Sequence, residues 1–443
     1  MKFERIVVAA AVLLAIGCSK EQAHESATKV KQTASNAVSK VQDTFDASAP
    51  VAEKEQVDPA QRERERFDQQ WRQLQSFKAQ QAAQQQAAAQ QAQTAQASAA
   101  ATDSASSTAA PASAGPEPVI ATSGKETFKG VAPEQMNAAP VHLPITGDVR
   151  GPSVLRTQVY LDRLDLSVGG LDGRWGKNSA IALYWFQKTH GLPASGDVDA
   201  ATFSALTKAA GNAPPLQEYQ LTDADLKGPF VKLPSDVYEK EKLDCLCYES
   251  LQEELAEKFH TTQDFLTLTN PGVSFTDAKA GATLWVPNVR PPMTTDRPDI
   301  AQVIISVSGN SFNAFDSAGH LVFHAPTTLG SKFDPSPDET VKVVGIAHDP
   351  NFHYQPKLFH EVPDSDPEAH LKPGPNSPVG LVWMALSKEH FGIHGTSDPD
   401  SIGYASSHGC VRLTNWDAVE VSHRISKGVP VQFVDTRKAA DKS

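Results

Sequence analysis

Between Ala79 and Ala97 the chain contains only alanine and glutamine, apart from Thr94. Alanine favours helix and glutamine tolerates it, but a run of this kind has nothing with which to build a globular core. The stretches around it are similarly poor. Val30, Ala34, Ala37, Val41 and Phe45 recur at spacings of three and four, the pattern of an amphipathic helix. Arg62–Phe67 is a solvated charged run, and Ser, Ala and Pro dominate to about Pro140. Residues 19–145 are therefore expected to be a disordered or helical stalk, with folded domains confined to the residues after it. As coil, about 125 residues would reach roughly 60 Å.

A leader precedes the stalk. "MKFERIVVAAAVLLAIGC" places Lys2 and Arg5 ahead of an unbroken apolar run, Ile6 to Ile16. That run is short for a bilayer span and suits a signal-peptide core. Gly17–Cys18 resembles a bacterial lipoprotein signal, so residues 1–18 are expected to be a lipoprotein signal peptide, with cleavage before Cys18 and lipidation there. A plain secretory signal or an uncleaved anchor is the alternative. Ser19, in place of an aspartate, resembles the pattern of outer-membrane lipoproteins, which implies a periplasmic protein anchored to that membrane through its N-terminal lipid. The formal net charge of −12 argues against a nucleic-acid partner. Export permits disulfides. Of the four cysteines, Cys245 and Cys247 are separated by one residue, and a ring that short strains disulfide geometry. They are expected to be small core residues or a poor disulfide.

Order resumes near Gly151. Three short helices are expected over residues 150–212, with Asn178 as N-cap of the second and Asp199 or Thr202 capping the third. "LDGRWGKNS", "ALYWFQKTHGL" and "GDVDAAT" resemble the three-helix peptidoglycan-binding domain, which implies a module for glycan strands or stem peptides. Over residues 228–290, Leu251, Leu255 and Phe259 mark one helix, and Phe265, Leu266 and Leu268 a second. "AGATLWVP" reads as a turn and strand. This small α+β segment resembles a LysM module, although "KLDCLCYES" lacks the family's usual Gly-Asp-Thr start. Residues 298–436 are mainly β, with hairpin turns at Gly309–Asn310 and Ala318–Gly319. A helix is expected from "NWDAVEVSHRI", with Asn415 as its cap.

The chemistry concentrates in "GIHGT" and "SSHGCVRL". A cysteine nucleophile needs a populated thiolate, a base for its proton and a stabilised oxyanion. His394 and His408 can act on Cys410; on a strand, His408 would face the same side as the thiol. Gly395 and Gly409 admit close backbone approach, and the amides of Gly409 and Cys410 could bind an oxyanion. Arg412 can hold a substrate carboxylate. His394, His408 and Cys410 are also acceptable zinc ligands by type, and a buried structural cysteine is a third reading.

"PGPNSPVGLVWMALSKEHFGIHGTSDPDSIGYASSHGCVRLTNWDAV" resembles the L,D-transpeptidase catalytic domain (YkuD type). His394, Gly395, Thr396, Gly403, Ser407, His408, Gly409, Cys410, Val411 and Arg412 match its pattern. "GIAHDPNFHYQP" resembles the segment before the family's active-site lid. The resemblance implies a β-sandwich in which Cys410 attacks the third residue of a stem tetrapeptide, releases D-Ala and passes the acyl group to an amine of a second stem. His394 would be the base, the Gly395 carbonyl would orient it, and His408, Arg412, Ser407 and Gly409 would lie at the substrate. No metal or cofactor is implied. Water or a lipoprotein lysine as acceptor, or a non-catalytic wall anchor, are the alternatives.

Overall fold

The computed structural model describes residues 120–122, 126–291, 297–331, 333–359 and 361–434. The expected leader, Cys18 and most of the expected stalk lie outside the described residues. The end of that stalk does not behave as stalk. A short helix, Pro133–Ala138, and a strand, Val141–Leu143, precede residue 145. Phe128, Met136, Val141 and Ile145 are buried in the same core as the helices beyond them. Four apolar side chains are thus enough to draw a Ser/Ala/Pro-rich segment into a core, each contributing on the order of 1.5–3 kcal/mol.

Helices α1 (Pro152–Arg163), α2 (Lys177–Thr189) and α3 (Ala200–Ala210) pack around Leu155, Val159, Ile181, Phe186, Phe203 and Leu206. Pro152 opens α1, where its missing N–H costs nothing. Asp199 caps α3 by accepting from the Thr202 amide at 2.7 Å. Asn178 is not a cap. It lies inside the first turn of α2, behind Gly176, and its Nδ2 instead donates to Ile402 O at 3.0 Å.

Strand β1 (Leu216–Gln220) pairs antiparallel with β2 (Thr283–Pro287), and between them run α4 (Leu251–Lys258) and α5 (Gln263–Thr269). Leu251, Leu255, Leu266, Leu284 and Val286 form their core. The first strand of this unit therefore lies before residue 228, and the "KLDCLCYES" stretch is not it. Cys245 and Cys247 are disulfide-bonded. Leu246 between them is buried, donates from N to Pro373 O at 2.9 Å and accepts from Asn376 N at 3.0 Å. The segment before α4 is a strap onto the last domain.

That domain holds one eight-stranded mixed sheet, built from β3 (Gln302–Ser306), β4 (Ser311–Phe315), β5 (Leu321–Pro326), β6 (Thr340–His348), β7 (Val382–Leu386), β8 (Gly392–His394), β9 (Val411–Arg412) and β10 (Pro430–Val434). The spatial order is β9-β8-β7-β6-β10-β3-β4-β5. Two packed sheets are expected of a sandwich. Here Thr328, two residues past edge strand β5, exchanges two backbone hydrogen bonds with Arg412 on the other edge, so the sheet curls until its edges meet. One core fills it, from Val303, Phe312, Phe323, Val341, Met384 and Ile393 to Val421 on helix α6 (Asn415–Arg424).

The three units are locked together by buried charge. Arg290 pairs with Asp162 of α1 at 2.9 Å and with Asp417 of α6 at 2.6 Å. His260 reaches Asp162 at 2.9 Å, and Ser167 donates to Asp417 at 2.7 Å. Arg424 and Arg297 both bridge Asp165 and Glu420. Such groups are stable out of water only as a complete set, which ties the helical domain to α6. Among the described residues, no helix is long and apolar enough to cross a membrane.

Candidate active site

Strand β8 ends on His394, and its parallel neighbour β9 begins at Val411, so pairing of Ile393 with Val411 brings the two motifs together. Between them, residues 408–410 form a bend, not the strand that would put His408 and Cys410 on one side. Gly409 makes the bend possible. Its φ is +103°, and a Cβ there would stand 2.7 Å from the Phe391 ring. The bend is held from inside. Ser407 is buried, accepts from the Gly409 amide at 3.2 Å and donates to Cys410 O at 2.6 Å. Ser336 donates to Gly409 O at 3.1 Å. The hydroxyl of Ser407 is thus occupied within the loop rather than presented to a substrate. One of the two amides expected to bind an oxyanion, that of Gly409, is also engaged.

A cavity of about 1070 Å³ opens over this bend. Cys410, His394, His408 and Arg412 line it; Gly395, Ser407 and Gly409 do not. Residues 347–355, Phe359, Leu371 and Trp383 also line it. Cys410 is a free thiol, half-buried, with Sγ 3.6 Å from His390 O. Burial pushes its thiol up, against the opposing pull of a Gly392 backbone hydrogen bond and the Arg412 charge.

His394 is buried and stacks on Trp383 with centroids 5.4 Å apart. Its Nδ1 lies 2.7 Å from Gly395 O. A carbonyl only accepts, so the proton sits on Nδ1 and the lone pair on Nε2. Burial, with the Arg412 charge adding to it, lowers the imidazole to about 3. Both groups therefore rest neutral, thiol and imidazole, and Nε2 of His394 carries the lone pair that can accept a proton. His408 is differently placed: Nε2 is 2.6 Å from Glu361 Oε1, and its ring meets Phe359 edge-on at 4.9 Å. Burial lowers Arg412 from its ordinary value, and its Nε has no hydrogen-bond partner among the described residues.

Asn415 has a role that the sequence conceals. Thr414, not Asn415, caps α6, accepting from the Asp417 amide at 3.2 Å. Asn415 Oδ1 accepts from the amides of Thr396 and Leu381, both at 3.2 Å. It thereby fixes the turn that carries the Gly395 carbonyl, and a side chain at Gly395 would overlap Oδ1. Its Nδ2 donates to both carboxyl oxygens of Glu257 on α4, at 2.9 and 3.0 Å. No local pattern links positions 257 and 415. Among the described residues, no cluster suited to a metal ion is present.

Residues 268–433 match the family model of the L,D-transpeptidase catalytic domain (YkuD), and residues 150–206 that of the "Putative peptidoglycan binding domain". The chain is 28% identical over 181 residues to the "Putative L,D-transpeptidase YkuD" of Bacillus licheniformis, covering 41% of this chain and 92% of that protein. It is 47% identical over 57 residues to the protein of the same name in Bacillus subtilis, spanning 13% of this chain and 35% of that one. It is 40% identical over 62 residues to "Probable L,D-transpeptidase YbiS" of Escherichia coli, spanning 14% of this chain and 20% of that one. Among solved structures, L,D-transpeptidase 3 from Mycobacterium tuberculosis overlaps 36% of this chain and 77% of its own at 16% identity and a TM-score of 0.26, and nothing is built on that likeness. The last domain is that of a peptidoglycan L,D-transpeptidase, a cysteine-dependent acyltransferase, and a peptidoglycan-binding domain precedes it.

Proposed function

We propose, on the premise of that catalytic domain, that Cys410 is the nucleophile and His394 the general base of a wall cross-linking reaction on stem tetrapeptides. The observation that carries the reading is the meeting of Cys410, His394, His408 and Arg412 in one cavity. Cys410 Sγ attacks the carbonyl of the third stem residue, usually diaminopimelate, as its proton passes to His394 Nε2. The carbon–nitrogen bond to the terminal D-Ala breaks, and the amine leaves with that proton. An amine of a second stem attacks the thioester and loses a proton to His394. The thiolate departs as the new amide forms and takes that proton back. General-base assistance of this kind contributes about 10²–10⁴-fold. Because thiol and imidazole rest neutral, the ion pair forms only as the substrate carbonyl arrives. The Gly395 carbonyl orients the base, Arg412 receives a stem carboxylate, and His408, paired with Glu361, lines the groove. Ser407 and Gly409 shape the cysteine loop.

The strand–helix–helix–strand order of β1, α4, α5 and β2 supports a LysM-like module that contributes glycan affinity, and the helical domain contributes the rest. The leader supports a periplasmic lipoprotein, held through Cys18 at the outer membrane. Wall binding then raises the local concentration of substrate. The test is incubation of the full chain with tetrapeptide muropeptides, read by mass spectrometry. Cross-linked dimers are expected. Tripeptides alone would mean hydrolysis, an adduct to a lysine-bearing lipoprotein added in a parallel incubation would mean a lysine acceptor, and no product in either would mean a wall anchor. Cys410→Ala is expected to abolish turnover while retaining wall pull-down; turnover surviving in that variant refutes the assignment.

A further inference from the structure

The catalytic groove is not built from the catalytic domain alone. Ser235, Val237 and Lys240 line the same cavity as Cys410, from about 170 positions upstream. Val237 and Lys240 belong to a short helix, Val237–Glu241, that Asp236 caps by accepting from the amides of Tyr238 and Glu239. The helix is held at several points to the strand pair that carries part of the groove lining. Tyr238 donates to Pro367 O at 2.9 Å, the His370 amide donates to Glu241 Oε1 at 2.8 Å, and the rings of Tyr238 and Tyr354 meet edge-on at 6.5 Å. Leu246 and the disulfide around it pin the strap to Pro373 and Asn376.

This seating brings a cation to the groove. Lys242 is taken by Glu239 at 2.6 Å, whereas Lys240 lines the cavity and enters no ion pair among the described residues. A lysine in a groove wall loses part of its hydration without gaining a counter-charge, and that arrangement favours an anionic occupant. Acids on the lining do not answer it: Glu389 lies 3.5 Å from His390, and Asp349 enters no ion pair among the described residues.

We propose that Lys240 is a substrate-binding residue, contributed from outside the catalytic domain, that holds a carboxylate of the donor stem peptide. The proposal rests on the reading of the groove as a stem-peptide site. A tetrapeptide stem offers two such groups, the terminal carboxylate and the side-chain carboxylate of its third residue. Arg412 lies two residues from Cys410, and Lys240 lies on the strap, so the pair would grip the peptide at two places. The strap then acts in donor selection as well as in packing.

The test uses the full chain in a Cys410→Ala background, where affinity for a soluble tetrapeptide stem is measured by calorimetry without any turnover. Lys240→Gln is expected to weaken binding about tenfold and Lys240→Arg to restore most of it. Amidating the carboxylate that Lys240 holds should leave the parent and the Lys240→Gln chain with equal affinity, while amidating the other carboxylate should leave their difference intact. In the active chain, the same Lys240→Gln change should raise KM about tenfold and leave kcat within about twofold. Equal affinities for the free-acid stem would overturn the proposal. So would a loss that persists with both carboxylates amidated, which would mark a structural role. Turnover that fails in the parent chain while the affinity difference stands would count against the proposed reaction alone.

Discussion

Glu257 is a buried carboxyl wedged between domains, and its burial makes a quantitative prediction. Its neighbours are Asn415 Nδ2, donating to both oxygens, and Tyr248 OH, donating at 3.2 Å. Burial dominates these hydrogen bonds, and the Glu253 charge adds to it, so the carboxyl is pushed up from an ordinary 4.5 to about 8. Below 4.5 both folded and unfolded chains carry the proton, and the group's titration leaves stability unchanged. Between 4.5 and about 8 the unfolded chain releases the proton and the folded chain keeps it, so stability falls as pH rises. At about 1.4 kcal/mol per pH unit, the loss over that interval is on the order of 5 kcal/mol. Glu257→Gln keeps an acceptor for Asn415 and removes the titration. At about 2–4 °C per kcal/mol, the melting temperature of the parent should fall on the order of 10 °C further than that of Glu257→Gln between about pH 4.5 and pH 8.5. Differential scanning calorimetry of both chains across that range is the assay. Parallel curves would refute the reasoning, because they would mean that Glu257 ionises as readily folded as unfolded.

The buried charges and the thiol yield two more expected outcomes. Arg290→Ala should destabilise the folded unit by about 3–5 kcal/mol, since Asp162 and Asp417 lose their shared cation; a urea midpoint shift worth less than about 1 kcal/mol would show that the network is not the lock between helical and catalytic domains. The elevated thiol of Cys410 and the lowered imidazole of His394 predict that alkylation by iodoacetamide rises about tenfold per pH unit from about pH 6 to pH 8. A plateau in that range would reveal a preformed thiolate–imidazolium pair and contradict the neutral resting state.

The parts of this protein that local rules govern are legible in its sequence. Asp199 caps α3 because an acceptor three residues before a free amide closes a ring within one turn, whatever lies elsewhere. The apolar spacing of Leu251 and Leu255 marks a helix because a 3.6-residue period puts such side chains on one face. Cys410, His394 and Arg412 stand out through two short motifs. Asn178 and Asn415 mislead for the same reason that Asp199 does not. Both stand beside helix starts, where a capping role is the local expectation. The carbonyl of Ile402 engages Asn178 instead, and the amides of Thr396 and Leu381 engage Asn415.

Periodicity, capping and composition act over a few residues. They are enough to say where most of the described helices and strands lie and which thiol stands among histidines. They say nothing of a sheet that curls until Thr328 meets Arg412, of Glu257 and Asn415 bracing the His394 turn, or of Lys240 entering the groove. Those contacts join positions far apart in the chain, and their free energy arises only when packing has removed the water between them.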